Sequence, residues 1–266
     1  MDKLLDLVTD PYDRKARVTP TLLVVLPVVI PLVCQFGAKN PTLTAVLSLI
    51  GGCGVIYAGA SISRGRGKKL EEKLVRGWGG MPTTIVLRHR DTFFDSVTKK
   101  RYHSDCLTKL GIQIPTVEEE LANPAAADDI YLGVGRRMRE LTREGKKLLL
   151  KENISYGFHR NMLAMKDVGI FLSACGLLYG LVLAHVVLLH PLGFDAAGFL
   201  DPGLPSAITL SFSILMMVAW LAYFNADQVR RMGYVYAERL FERLPSMPKP
   251  RAKIAPKDSA SKTPNV

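Results

Sequence analysis

Basic and histidine side chains that could bind an anion are concentrated in one polar stretch, GWGGMPTTIVLRHRDTFFDSVTKKRYH, residues 77–103. Arginine forks and lysine ammonium groups suit phosphate oxygens, and glycine N–H groups and threonine hydroxyls can add neutral donors. The stretch lacks the glycine spacing and the Lys-Ser/Thr pair of a P-loop. It predicts a surface for an anionic ligand, formed by Arg88, His89, Arg90, Lys99, Lys100, Arg101 and His103, with neutral donors from Gly79, Gly80, Thr83 and Thr84.

A second basic group lies on a predicted helix that also contains Glu140 and Glu144. Its members are Arg136, Arg137, Arg139, Arg143, Lys146 and Lys147. For both basic groups the alternative interpretation is attraction to an anionic inner leaflet, at about 1 kcal/mol per basic residue near the surface. Sequence alone leaves both interpretations open.

A third polar group, ENISYGFHRN at residues 152–161, directly precedes an apolar run. Aromatic, Asn and Arg side chains at this position are often interfacial anchors. They could equally couple the polar region to the apolar runs, because the segment joins the two. We add Arg160 to the predicted phosphate contacts on that ground.

Catalytic and metal-binding patterns are not evident in the sequence. His89, Asp91, Asp95, His103 and Asp105 could form a metal or acid–base site, but no H-E-x-x-H, G-x-S-x-G or C-x-x-C motif occurs. The four cysteines show no zinc spacing and no disulfide framework. We therefore predict a protein that is not an enzyme and has no catalytic residue, metal or cofactor.

Four nearly uncharged runs each approach the roughly 20 apolar residues that cross a bilayer. They are Val18 to Phe36, Pro41 to Ile62, Asp167 to His190 and Pro205 to Phe224. Buried helices of a soluble bundle are the alternative. Because no Asp, Glu, Lys or Arg lies deep in any run, a pump or ion-coupled carrier is disfavoured. A pore with an apolar constriction remains compatible with the sequence.

The uneven distribution of Lys and Arg predicts the orientation of these spans. The link 37–40 has one cation, Lys39, and the link 191–204 has none. Residues 64–166 have 21 Lys and Arg against 13 Asp and Glu, and residues 225–266 have 9 against 4. Both basic regions and both termini are predicted to be cytoplasmic, in a multi-pass membrane protein.

The predicted fold is mainly α, a four-helix transmembrane region of two hairpins with a small, mostly helical α+β cytoplasmic insert. The segment TTIVLRH is strand-like, and small residues at Gly176, Gly180 and Ala184 predict close helix packing within one subunit or between subunits. The boundaries are 1–17 amphipathic segment, 18–62 first hairpin, 63–166 basic insert, 167–224 second hairpin, 225–244 helix able to pair with copies of itself, and 245–266 disordered tail.

Two phrases, GG-x-PTT-xxx-LRHRD followed by TKKRYH and EN-xx-YGF-x-RN, resemble segments of bacterial inner-membrane proteins of anti-phage defence operons. The four-span plan is similar to that of the ion-channel effector of the Hailong-type defence system. This resemblance implies an oligomeric channel that is opened by an oligonucleotide made by a partner nucleotidyltransferase encoded nearby. It assigns no ligand residue in this chain.

The sequence thus predicts a homo-oligomeric effector in the lipid bilayer, an ion channel or pore gated by a nucleotide or oligonucleotide bound to the basic insert. The alternative is a non-conducting membrane scaffold that recruits a soluble partner through the same basic surface.

Overall fold

The computed structural model describes residues 9–36, 41–42, 56–142 and 147–248, which are mainly helical. The helices are α1 Thr19–Phe36, α2 Ile56–Trp78, α3 Pro82–Ile85, α4 Ser96–Asp105, α5 Val117–Ala122, α6 Pro124–Leu141, α7 Lys147–Ala164, α8 Lys166–Leu183, α9 Gly203–Val218 and α10 Ala226–Phe241. A helical turn Pro11–Asp13 and wider π-helical turns at Arg14–Val18, Cys106–Leu110 and Ala219–Tyr223 extend several of them, and short 3-10 turns occur at Ala196–Phe199 and Leu244–Ser246. Strands β1 Val187–Leu189 and β2 Leu192–Phe194 form one antiparallel pair.

Three helical segments are long and apolar enough to cross a membrane, which makes this a membrane protein: Pro11–Gln35, Lys166–Leu183 and Gly203–Tyr223. They include α1, α8 and α9, so the first and fourth predicted spans are helical as expected. Most of the second predicted span, residues 43–55, lies outside the described residues. Its last residues begin α2, which continues as a charged helix to Trp78.

The third predicted span is shorter than expected. It was predicted to reach His190, but α8 ends at Leu183, and the chain turns through His185 at a positive φ of 57°. Residues 187–189 then form β1, which pairs with β2. The prediction was wrong at this end because an apolar run has the same composition whether it continues a helix or forms a strand.

Small residues on α8 contact neighbouring helices of the same chain. An added Cβ at Gly176 would lie 2.7 Å from the carbonyl oxygen of Pro27 on α1 and 2.5 Å from Ser213 Oγ on α9. One at Gly180 would lie 2.8 Å from Leu210 of α9. Close backbone approach of this kind is how membrane helices associate without a hydrophobic driving force between them. The predicted small-residue ladder therefore packs within one subunit.

Replacing Gly176 by Ala is expected to destabilise the three-helix packing by about 1–3 kcal/mol, because the new methyl group overpacks a closed contact. The measurement is thermal unfolding of the purified protein in detergent. Gly133→Ala on α6 is the matched control: nothing lies within 4 Å of its added Cβ, and it should stabilise the helix by up to about 1 kcal/mol. An unchanged melting temperature for Gly176→Ala would contradict the close contact.

The insert and α10 share one apolar core. Tyr131, Val134 and Met138 of α6 are fully buried and pack with Leu240 and Phe241 of α10. The α10 face that was predicted to be free for pairing with copies is thus covered by the insert of the same chain. The buried centre of this α10 face consists of Val229, Ala237 and Leu240, while Met232 and Tyr236 are half-buried.

The strand predicted for TTIVLRH, residues 83–89, is wrong. Pro82–Ile85 is a helical turn, and every residue from Pro82 to Arg88 is buried. A proline at the first helical position is preorganised for a helix, and burial on all sides removes the alternation that a half-exposed strand needs. Among the described residues of the insert no strand occurs, so this part is helical rather than α+β.

Several other sequence predictions concern the ends of the insert and the termini. The pattern Thr116-x-x-Glu119 predicts a capping box, and the structure has it at the start of α5. Residues 1–8 of the predicted amphipathic segment lie outside the described residues, as do 249–266 of the predicted tail. The tail was predicted to begin at Pro245, but Leu244–Ser246 forms a turn and Met247 is buried in the core of the insert.

Candidate functional site

Arg88, a predicted phosphate contact, is buried and fully engaged inside the insert. Its Nε donates to Asp128 Oδ1 at 2.8 Å, and its Nη2 donates to Asp128 Oδ2 at 2.7 Å and to the Gly79 carbonyl at 2.6 Å. A bidentate arginine–carboxylate pair is among the stronger polar contacts of a protein. Arg88 thereby fixes the Gly79 turn to α6, and its guanidinium has few donors left for a ligand.

Lys99 is also buried and bonded to backbone. Its Nζ donates to the Arg88 carbonyl at 2.9 Å and to the Asp91 carbonyl. Burial lowers the pKa of Lys99, and the charges of Asp91 and Glu120 oppose that shift. The ammonium group therefore closes the 88–91 turn onto α4 instead of facing solvent.

Glu120 joins three elements of the insert although only 2% of its surface is exposed. It accepts from the His89 backbone N–H at 2.8 Å, from the Tyr131 hydroxyl at 2.6 Å and from Arg90 Nη1 at 3.1 Å. Burial raises the pKa of Glu120, but these three donors together outweigh it and leave the pKa below the ordinary 4.5. The carboxylate is thus charged and satisfied at neutral pH.

The two predicted histidines contact each other edge to face, with ring centroids 4.7 Å apart. Their Nε2 atoms lie 2.9 Å (His89) and 2.8 Å (His103) from the carbonyls of Pro115 and Leu87. Since a carbonyl only accepts, each Nε2 must donate. Burial lowers the pKa of His103, so this ring is neutral at pH 7. Among the described residues no group of three His, Cys, Asp or Glu could hold a metal.

The Glu120 contacts predict a pH dependence of stability. The folded pKa lies below the unfolded 4.5, so the stabilisation is complete above about pH 4.5 and is lost as the pH falls through the folded pKa. Chemical unfolding followed at pH 7 and at pH 4 or below measures it. Glu120→Gln should be less stable than the wild type at pH 7, and the difference should shrink in acid. A difference that is constant with pH would contradict this role.

The remaining predicted cations of the polar stretch are at the surface. The Arg90 side chain is 45% exposed beside Glu120, and Lys100 and Arg101 are exposed on α4. The Arg101 guanidinium lies 5.3 Å from the ring centroid of its neighbour Tyr102. These three are the members of the stretch that solvent or a partner can reach.

A separate pocket of about 220 Å³ lies where the insert meets the segments that lead into the membrane helices. It contains residues of both conspicuous phrases, Met81, Pro82 and Thr83 from the first and Asn153, Tyr156 and Arg160 from the second. The other lining residues are Tyr12, Glu71, Arg139, Gly233 and Tyr236. We call this cavity the junction pocket. Its lining has two guanidinium groups and one carboxylate.

Glu71 occupies one side of the junction pocket. Its carboxylate accepts from Arg160 Nη1 at 2.9 Å and from the Tyr156 hydroxyl at 2.7 Å. Burial raises the pKa of Tyr156, and the charge of Glu71 raises it further, so this hydroxyl remains a donor. An internal carboxylate thus already occupies an anion position in the pocket.

Arg139 and Thr83 are two polar residues of the pocket whose side chains have no partner among the described residues. Arg139 makes no hydrogen bond or ion pair with any other residue that the structure describes. The Thr83 hydroxyl is buried, with 2% of the residue exposed, and has no hydrogen-bond partner in the described part of the chain. Burial raises the pKa of Tyr236, and Arg139 opposes the shift. An unpaired buried donor is costly, so an acceptor oxygen beside the Thr83 hydroxyl would stabilise this arrangement.

The junction pocket is linked directly to the helices that enter the membrane. Glu71 lies on α2, while Arg160 lies on α7, which leads into α8. Next to Arg160, fully buried Asn161 donates through Nδ2 to the Ala16 carbonyl at 2.6 Å, just before α1. A change at Glu71 or Arg160 therefore acts on α2, on α7 and on the segment before α1.

Of the predicted ligand residues, Arg160 and the neutral donor Thr83 line the junction pocket. Arg88, His89, Arg90, Lys99 and His103 gather instead around Glu120 and Asp128, and Lys100 and Arg101 point away on the surface of α4. Arg139 was assigned to the second basic group, and Tyr12 was not predicted. One sequence signal was available: the two phrases that resemble defence-operon proteins are the ones that converge here.

Comparison of the chain with protein-family models, with curated proteins and with solved structures finds no match.

Proposed function

We propose that this chain is a ligand-responsive membrane effector in which a phosphate-bearing molecule binds the junction pocket. The observation that supports the proposal is the pocket itself: Arg139 and Thr83 have unused donors there, and Arg160 is paired with an exchangeable carboxylate. Guanidinium, hydroxyl and amide donors around one small cavity suit phosphate oxygens.

The size of the pocket favours one unit of a larger ligand. Pockets for whole small molecules are usually about 300–1,000 Å³, and the junction pocket has about 220 Å³. A phosphate and its attached sugar fit this space, while the remainder of a nucleotide or short oligonucleotide would extend outward.

Competition with Glu71 supplies a mechanism for gating. A phosphate that binds Arg139 and Arg160 displaces the Glu71 carboxylate from Arg160, because two anions cannot share the same donors without repulsion. Glu71 lies on α2, so its release alters the contact between α2 and α7 below the membrane. The ligand opens the protein only if it binds the state with released Glu71 more tightly than the paired state.

The membrane part acts, in this proposal, as an ion channel or pore of the bacterial inner membrane. It consists of four spans per chain, with the insert and both termini in the cytoplasm and with several copies around a path. The surplus of Lys and Arg in the two basic regions supports the orientation. No Asp, Glu, Lys or Arg lies in the central part of the three described apolar segments, which favours gating by an apolar constriction.

A role in anti-phage defence rests on the resemblance of the two phrases to defence-operon membrane proteins. In that setting a nucleotidyltransferase encoded nearby makes the signal. The convergence of the same phrases on the junction pocket is what connects this role to a ligand site.

Ion flux from liposomes containing the purified protein tests the proposal. Flux should appear on addition of one member of a panel of nucleoside phosphates and short linear or cyclic oligonucleotides. Nucleosides, which have no phosphate, should produce no flux. Absence of flux with every member of the panel would overturn the channel. Ligand binding without flux, together with a co-purifying soluble protein, would favour the scaffold.

A further inference from the structure

The β-hairpin between α8 and α9 has one apolar face that the described residues leave largely exposed. Val187 pairs with Phe194 and Leu189 with Leu192. Residues directly opposite in an antiparallel pair, and alternate residues along a strand, share a face. These four apolar side chains therefore form one surface of the hairpin, while Leu188 and Gly193 face the other way.

This face and the turn that follows it are strongly exposed. Leu192 is 84% exposed and Phe194 is 70% exposed. After the hairpin, Leu200 is 88% exposed and the Phe199 ring lies 6.4 Å from the Phe194 ring. Large apolar side chains grouped in this way indicate an interaction surface.

The position of the hairpin restricts its partner. It joins the ends of α8 and α9 that are distant from the insert, so it lies at the membrane boundary opposite the insert if these helices span. No Lys or Arg occurs between Lys166 and Arg230. The Asp195 carboxylate accepts from the backbone N–H of Ala197 and caps the local turn.

The area of the face is too small for a stable protein contact by itself. Two strands of three residues cover on the order of 100 Å², from the strand spacing and the rise per residue. A stable dimer buries roughly 800 Å² per partner. A lipid surface has no such lower limit, because each apolar side chain partitions into it individually.

The backbone of the hairpin limits how deeply it can enter the membrane. Both strands of a two-stranded sheet are edge strands with unpaired N–H and C=O groups, and these require water or headgroup partners. The hairpin therefore cannot enter the hydrocarbon centre.

We propose that this hairpin is a lipid-binding element that inserts its Leu189, Leu192 and Phe194 face into the headgroup and upper acyl region of the leaflet opposite the insert. The proposal requires that α8 and α9 span the membrane, and it is independent of the ligand function of the junction pocket.

Site-specific photo-crosslinking tests it in the full-length protein in bilayer nanodiscs of one defined phospholipid. A benzophenone amino acid replaces Phe194 in one variant and Leu192 in a second, so that one misfolded variant does not decide the result. The control replaces Val97, which is 76% exposed on α4 of the insert. Irradiated protein is analysed by mass spectrometry for phospholipid adducts and by gel for crosslinked dimers.

Phospholipid adducts at positions 192 and 194, with none above background at 97, are the expected result. The adducts should map to the glycerol region or the first acyl carbons. Crosslinked dimers in place of lipid adducts would assign the face to a second copy and overturn the proposal. The proposal would also be overturned if positions 192 and 194 crosslinked neither to phospholipid nor to a second copy. Equal amounts of lipid adduct at position 97 would overturn it as well.

Discussion

Arg139→Ala is expected to weaken binding of the activating nucleotide by about 10- to 100-fold, because a hydrogen-bonded contact to a charged group contributes about 1.5–3 kcal/mol. The fold should be unaffected, since Arg139 makes no hydrogen bond or ion pair within the described part of the chain. Isothermal titration of detergent-purified protein with the nucleotide that produces flux measures the affinity. The same loss should appear as a shift of the flux curve to higher ligand concentration.

Arg137→Ala is the matched control for that variant. Arg137 lies two residues away on the same helix, 51% exposed, and pairs with Glu140 at the surface. If the ligand were attracted only by the net charge of the insert, both variants would lose the same modest affinity. Arg139→Lys adds a second comparison, because it keeps the charge and loses the planar fork. Equal binding by wild type and Arg139→Ala would remove the junction pocket as the ligand site.

Arg88→Ala is expected to destabilise the insert by about 3 kcal/mol, because it leaves the Asp128 carboxylate unpaired and the Gly79 carbonyl without its donor. This loss of stability is at the low end of the range for breaking a buried ion pair, because the Asp128 side chain is 33% exposed. Denaturant unfolding of the solubilised protein, followed by a signal from the insert, measures it. Ligand affinity of the protein that remains folded should be close to that of the wild type.

Two comparisons separate a structural role of Arg88 from a ligand role. Arg101→Ala removes an exposed cation of the same stretch and should change stability by no more than about 0.5 kcal/mol. Arg88→Ala combined with Asp128→Ala should be more stable than Arg88→Ala alone, because the uncompensated carboxylate is gone. If Arg88→Ala has the same free energy of unfolding as the wild type but fails to bind the nucleotide, then Arg88 is a ligand contact.

Local sequence was sufficient for much of the helical architecture. The apolar lengths of α1 and α9, the capping box before α5 and the 3.6-residue pattern of α6 are properties of neighbouring residues, and the structure has each of them. The failures share one cause. A strand was predicted at 83–89 and a helix was predicted to reach His190. In both segments, packing and pairing with distant residues override the short local pattern.

The density of cations was evident in the sequence, but their roles were not. Arg88 meets Asp128 40 residues away, and Arg160 meets Glu71 89 residues away. Whether a cation is free for a ligand depends on such through-space pairing and burial, since either can use up its donors. Arg139 was grouped with its surface neighbours for the same reason, because helical position alone does not show which side faces a cavity.

The sequence by itself therefore determined that this is a mainly helical membrane protein with basic polar regions, because length, hydropathy and charge act locally. Only the tertiary structure decided that most cations of the polar stretch stabilise the insert, and that Thr83, Arg139, Tyr156 and Arg160 surround one pocket. The physical reason is that a binding site is an arrangement of donors in space, and the three helices that hold these residues, distant in sequence, must fold together before it exists.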